Sequence, residues 1–116
     1  MSDLVDLVAQ CYRDSKRWFP GQKDDLGFMA LAMLGEGGEL ANLVKKVERG
    51  THSIEDLRAE MGEEAVDVLI YLCNIFAILG VDPVKIYAIK RRKNEQRFGN
   101  GNGQRAASGA PATTLQ

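Results

Sequence analysis

Hydrophobic positions along the chain recur with the three- and four-residue spacing of amphipathic α-helices. Capping residues divide this pattern into four predicted helices: Ser2 to about Arg17, Asp24 or Asp25 to about Arg49, Ser53 to Leu79, and Asp82 to about Phe98. Gly50 and Gly80 are expected to end the second and third helices, and Pro83 suits the first position of the fourth. No segment alternates with the two-residue period of a β-strand. The pattern therefore predicts an all-α, four-helix bundle-like domain.

Local signals give more specific expectations for single elements. The predicted buried side of the first helix contains Leu4, Val5, Val8 and Tyr12. Residues 18–23 are predicted to form a loop because they contain Pro20 and Gly21. Ser53 and Asp56 have the spacing of a capping box, with Asp in place of Glu.

Length and composition restrict the class of protein. A chain of 116 residues forms one domain at most, predicted to be a helical domain over 1–98 followed by a flexible Gly/Ala-rich tail over 99–116. Fifteen basic residues against sixteen acidic ones argue against a nucleic-acid partner. Two widely separated cysteines fit a reducing compartment, with Cys73 as a packed thiol. Without a recognisable signal peptide or membrane span, the chain is expected in the cytoplasm.

Carboxylates occupy helix faces that should be buried. In the second helix, Glu36 and Glu39 lie on the same side as Met29 and Leu40. One polar stripe of the third helix contains Glu60, Glu63, Glu64, Asp67, Tyr71 and Asn74, and its upper part runs through a segment that is otherwise apolar. Burying an unpaired carboxylate costs several kcal/mol, as an order of magnitude, unless a cation or hydrogen bonds compensate. The stripe therefore predicts a positive partner.

A divalent metal ion is one candidate for that partner. If the turn at Thr51 and His52 makes the two helices antiparallel, a Glu-x-x-Glu pair and a Glu-x-x-Asp pair can meet. Carboxylates without Cys or His ligands favour Mg²⁺, with Mn²⁺ possible. The alternative is a solvated acidic face in which Asp67 pairs with a basic side chain. A di-iron site would require Glu-x-x-His motifs, whereas His52 is the sole histidine.

Three further features could serve such a site. Gly37 and Gly38 weaken the second helix, which is understandable if a neighbouring helix or a ligand approaches closely, although a kink or simple tolerance is the alternative. One face of the fourth helix carries Lys90, Lys93, Asn94 and Arg97, which could bind phosphates or simply be solvated. The ring of Trp18 could stack on a base, pack in the core or form a dimer contact.

Three segments together resemble the MazG-like all-α nucleotide pyrophosphohydrolases: LGEGGELANLVKKV, EMGEEAVDVLIYL and KRRKNEQRF. The resemblance covers residues 12–98 approximately. It implies that Glu36, Glu39, Glu64 and Asp67 bind Mg²⁺, although Glu63 competes with Glu64 for this assignment. It also implies phosphate contacts from Lys90, Lys93, Asn94 and Arg97.

The activity implied by this resemblance is hydrolysis of a nucleoside triphosphate to the monophosphate and pyrophosphate, by attack of a metal-activated water. Glu39, or next Glu36, is expected to orient or deprotonate that water. Alternatives are a phosphoribosyl-ATP pyrophosphohydrolase and a non-catalytic helical interaction module. The resemblance implies a homo-oligomer, either a dimer or a tetramer. At least a dimer is also expected because the third helix is apolar on nearly every side.

Overall fold

A computed structural model describes residues 3–99, which form four α-helices and no strand. These are α1 (Leu4–Trp18), α2 (Leu26–Glu48), α3 (Ile54–Leu79) and α4 (Pro83–Phe98). The all-α prediction is confirmed for this part of the chain. The predicted tail lies almost entirely outside the described residues, of which Gly99 is the last.

Side-chain caps begin the helices close to where the sequence places them. The N-cap of α1 is Asp3, whose carboxylate accepts from the backbone N–H of Asp6; the predicted cap, Ser2, lies outside the described residues. Asp25 is the N-cap of α2. The predicted capping box of α3 is confirmed, since Ser53 and Asp56 each accept from the other's backbone N–H. At α4, Asp82 caps the helix ahead of Pro83.

The described residues divide into two units. The first, Met1–Val81, contains α1, α2 and α3, and the second begins at Asp82 and contains α4. In the first unit, α3 packs against both α2 and α1. No single helix among residues 3–99 is long and apolar enough to cross a membrane.

The interior of the first unit is small. Its buried apolar residues among the described ones are Val8, Cys11, Met29, Leu57 and Cys73. The expected inner side of α1 is therefore partly wrong: Val8 is buried, but Val5 is exposed, and Cys11 takes the inner position. The two cysteines, distant in sequence, belong to one cluster. Burial, followed by the neighbouring Cys11 thiol, raises the pKa of Cys73 to about 11, which fits a packed thiol.

Glycines in α2 do not mark a close approach within the described chain. A Cβ added at Gly37 or Gly38 would have no atom within 4 Å. The expectation that a neighbouring helix explains them is therefore wrong for the described chain, whereas close approach of a ligand stays a prediction. By contrast, Gly50 and Gly80 have φ of 83° and 69°, and Gly80 is the left-handed C-cap of α3, as the sequence predicted.

We expect the same added methyl group to have opposite effects on stability at Gly80, which is the C-cap of α3, and at Gly62, which lies inside that helix. Gly80→Ala should lower the free energy of unfolding by about 1 kcal/mol, because the left-handed conformation disfavours a Cβ. Gly62→Ala should raise it by about 0.5–1 kcal/mol, because Gly62 is helical and has open space around it. Urea denaturation monitored by circular dichroism measures both. Equal effects of the two substitutions would contradict the assignment of Gly80 as the cap.

Candidate metal-binding site and adjoining pocket

Three acidic side chains meet where α2 packs against α3. Each of Glu36, Glu64 and Asp67 offers a carboxylate oxygen, and these three oxygens lie within 4.8 Å of one another. All three residues are half-buried. The periodicity of the helices explains the meeting, since Glu64 and Asp67 are three residues apart on α3 and so share a face. We call Glu36, Glu64 and Asp67 the acidic cluster.

The electrostatics of the acidic cluster are unfavourable without a cation. Oε1 of Glu64 is buried and accepts no hydrogen bond from any residue in the range 3–99. The pKa of Glu64 is raised, first because its protonated carboxyl can donate a hydrogen bond to Glu36, then because of burial and the charges of Glu36, Asp67 and Glu39. Like charges at this separation favour a shared proton or a bound cation.

Other acids predicted for this site lie outside the acidic cluster. Glu39 is exposed, so the expectation that it shares the buried side of α2 is wrong, although its charge contributes to the raised pKa of Glu64. Glu60 and Glu63 are also exposed. The sequence left open the choice between Glu63 and Glu64. In the structure Glu64, and not Glu63, lies beside Glu36.

A pocket of about 240 Å³ adjoins the acidic cluster in the first unit. Glu36 and Asp67 line it together with residues of α1, the following loop and α3: Cys11, Asp14, Ser15, Trp18, Phe19, Gln22, Ile70, Tyr71 and Asn74. The pocket therefore combines the carboxylates of Glu36 and Asp67 with aromatic rings and with the amide of Asn74. Ligand pockets usually measure about 300–1,000 Å³, so this one has room for part of a nucleotide-sized molecule.

Polar contacts hold the loop that forms one wall of the pocket. Lys16 makes a 2.6 Å ion pair with Asp24, and the hydroxyl of Tyr12 donates to the same carboxylate at 2.8 Å. Ser15 donates to Oε1 of Gln22 at 2.9 Å. These contacts connect α1 to the start of α2 and fix the segment between them. The Lys16 and Tyr12 hydrogen bonds also lower the pKa of Asp24, because both stabilise its ionised form.

Trp18 lies where a base-stacking residue would be useful. It is the last residue of α1 rather than the first of the loop, lines the pocket and is 62% exposed. The guanidinium of Arg17 lies 5.4 Å from the centre of its ring. Core packing of Trp18 is thus excluded, whereas stacking on a base stays a prediction.

The predicted phosphate-binding residues lie on α4, in the second unit. Lys90, Lys93 and Arg97 are exposed and Asn94 is half-buried. Their i, i+3, i+4, i+7 spacing gives them one face of the helix. Phosphate contact by this face stays a prediction from the sequence.

Comparisons with protein-family models, with curated proteins and with solved structures found no match for this chain. The acidic cluster and the pocket beside it are therefore the structural features that bear on function.

Sequence reasoning identified the acids but missed most of the pocket. Tyr71 and Asn74 belong to the polar stripe of α3 but have no role predicted by the sequence, and no sequence pattern points to Ser15 or Gln22. The available signal was Asn74 itself, an amide in an apolar helical segment. A buried amide needs hydrogen-bond partners, so its position could have indicated a polar pocket.

Proposed function

We propose that this chain is a Mg²⁺-dependent nucleoside triphosphate pyrophosphohydrolase. The observation that carries the proposal is the acidic cluster, in which Oε1 of Glu64 is buried without a hydrogen-bond partner among residues 3–99. An acidic stripe that was merely solvated would not converge on a half-buried point. The resemblance to the MazG-like enzymes supports the choice of nucleotide chemistry.

The donor set fits a hard divalent cation. Glu36, Glu64 and Asp67 supply only carboxylate oxygens, which Mg²⁺ and Mn²⁺ prefer. Three ligands leave positions for water and for phosphate oxygens, as is usual for Mg²⁺. When bound, the metal would lower the pKa of a water molecule and offset charge on the phosphoryl oxygens.

The side chains themselves would position the reactants. Glu36 and Asp67 belong to the acidic cluster and also line the pocket. They would therefore place the phosphates next to the part of the pocket where Trp18 could stack on a base. Glu39 is one turn from Glu36 on α2 and is not committed to the cluster, which leaves its carboxylate available to accept a proton from the attacking water. Glu36 is the next candidate for that role.

Self-association is part of the proposal, with a second copy of this chain as the partner. An exposed row on α2 contains Leu31, Leu34, Gly38 and Ala41. Leu31 and Leu34 are 71% and 65% exposed, and helical geometry places this row on the opposite side of α2 from Met29 and Glu36. An uncharged row with two exposed leucines is typical of a helix that packs on another molecule.

The test of the proposed function is pyrophosphate release from standard and modified nucleoside triphosphates, with Mg²⁺ and with EDTA. We expect at least one nucleotide to give monophosphate and pyrophosphate in equal amounts, and EDTA to abolish the reaction. If no nucleotide is cleaved at any Mg²⁺ concentration, the hydrolase proposal fails and a non-catalytic interaction module becomes the better explanation of the acidic cluster.

A further inference from the structure

Asn74, which lines the pocket, carries a second buried polar atom without a hydrogen-bond partner among the described residues. Its side chain is almost completely buried, at 2% exposure. Nδ2 donates to the backbone carbonyl of Ile70 at 3.0 Å, while Oδ1 is buried and accepts no hydrogen bond from the described residues. Because a carbonyl can only accept, this contact fixes the orientation of the amide and identifies the oxygen as the unpaired atom. A ligand with a hydrogen-bond donor would satisfy it.

The position of Asn74 relative to the acidic cluster restricts the shape of that ligand. Asp67 and Asn74 both line the pocket, and seven residues of α-helix separate them by about 10 Å along α3. A molecule that reaches both is elongated, with an anionic end near the carboxylates and their metal and a neutral donor at the other end. The aromatic rings of Trp18 and Tyr71 line the same pocket, which suits a flat ring between these ends.

We propose that Oδ1 of Asn74 accepts a hydrogen bond from the amino group at ring position 4 of cytosine or ring position 6 of adenine, so that cytosine and adenine nucleotides are the preferred substrates. This inference rests on the proposed function for the triphosphate end of the ligand. Cytosine and adenine carry an amino donor at ring positions 4 and 6, where uracil, thymine and guanine carry a carbonyl acceptor. A carbonyl there would face Oδ1, acceptor against acceptor, and leave both groups unpaired.

The single tryptophan of the chain provides a binding assay that does not need catalysis. Trp18 fluorescence is titrated with CMP, UMP and the 4-deamino analogue of CMP, which lacks the amino group but keeps the ring and the sugar. We expect CMP to bind at least about tenfold more tightly than the other two, because a polar site discriminates strongly against a ligand that leaves it unpaired. AMP should likewise bind more tightly than its 6-deamino analogue.

A pair of matched variants assigns the preference to Asn74. Asn74→Leu removes the amide and should reduce the CMP preference to about twofold or less. Asn42→Leu makes the same change at an exposed position of α2 outside the pocket and should keep the preference. If Asn74→Leu does not fold, the ligand series on the unaltered chain still decides. Equal binding of CMP and its deamino analogue, or no quenching by CMP and AMP, would overturn the inference.

Failure of this inference is distinguishable from failure of the proposed function. An Asn74-dependent preference for CMP without pyrophosphate release from any triphosphate would keep the base-binding assignment and reject the hydrolase. Pyrophosphate release with the same CTP to UTP ratio of kcat/KM in the unaltered chain and in Asn74→Leu would keep the hydrolase and reject the assignment.

Discussion

Replacing Glu64 by Gln is expected to abolish nucleotide hydrolysis while making the metal-free protein more stable. Glu64→Gln removes one of three half-buried carboxylates whose oxygens lie within 4.8 Å of one another, and the new amide can donate where the carboxylate repels. Hydrolysis should fall about 100-fold or more, as expected when a group that positions charge in an active site is lost. The melting temperature without metal should rise by a few degrees. Pyrophosphate release and thermal unfolding are the two measurements.

The pH dependence of this stabilisation has a definite sign. The pKa of Glu64 in the folded chain is raised above its ordinary value of 4.5, first by Glu36. An acid with a raised folded-state pKa destabilises the fold at neutral pH, and this penalty disappears as the pH falls below 4.5. The gain in melting temperature from Glu64→Gln should therefore be present at pH 7 and vanish below pH 4.5.

A neighbouring carboxylate serves as the control for Glu64→Gln. Glu63→Gln makes the same change of charge one residue away, at an exposed position outside the acidic cluster. It should leave hydrolysis and melting temperature nearly unchanged. Mg²⁺ should raise the melting temperature of the unaltered chain and of Glu63→Gln by preferential binding to the folded state, but not that of Glu64→Gln. Loss of activity in both variants would show that Glu64 has no special role.

Helix boundaries were predictable from the sequence because their signals are local. Ser53 with Asp56, Asp82 with Pro83, and Gly80 each satisfy or end a helix through contacts within a few residues. Such contacts depend little on the remainder of the fold. The helices of residues 3–99 accordingly begin and end within about two residues of the predicted positions.

The facing of individual side chains was less predictable because it depends on where the partner helix lies. Glu36 and Glu39 are three residues apart, and an α-helix of 3.6 residues per turn displaces them by about 60° around its axis. That difference separates a half-buried Glu36 from an exposed Glu39. Val5 is exposed for a similar reason, since α1 presents Val8 and Cys11 to α3 instead. Periodicity defines a face only to within such an angle.

The pocket required information that no local pattern contains. Its wall depends on the ion pair between Lys16 of α1 and Asp24 of the loop before α2, and no spacing rule identifies such a pair. That Oδ1 of Asn74 has no partner can be recognised only when the hydrogen bonds of the folded chain are known. The sequence therefore predicts the acids better than the surface beside them.

The second large effect is expected on self-association: two negative charges introduced on the exposed side of α2 should dissociate the oligomer into monomers. Leu31→Glu combined with Leu34→Glu places carboxylates in the exposed row that we propose for self-association. Burying a leucine contributes about 1.5–3 kcal/mol, so losing two should weaken association at least about 100-fold. Sedimentation velocity at micromolar concentration should give a dimer or larger species for the unaltered chain and a 12.8 kDa monomer for the variant.

A control variant on α1 distinguishes the loss of the apolar contact made by the row on α2 from a general effect of added negative charge. Val5→Glu changes an exposed apolar residue outside the row and should leave the sedimentation coefficient unchanged. The small interior of the first unit further predicts that the double variant unfolds at a lower temperature, because the monomer loses the burial that a second copy provides. An unaltered chain that sediments as a monomer would instead mean that Leu31 and Leu34 face solvent in the native protein, and the proposed row would have no partner.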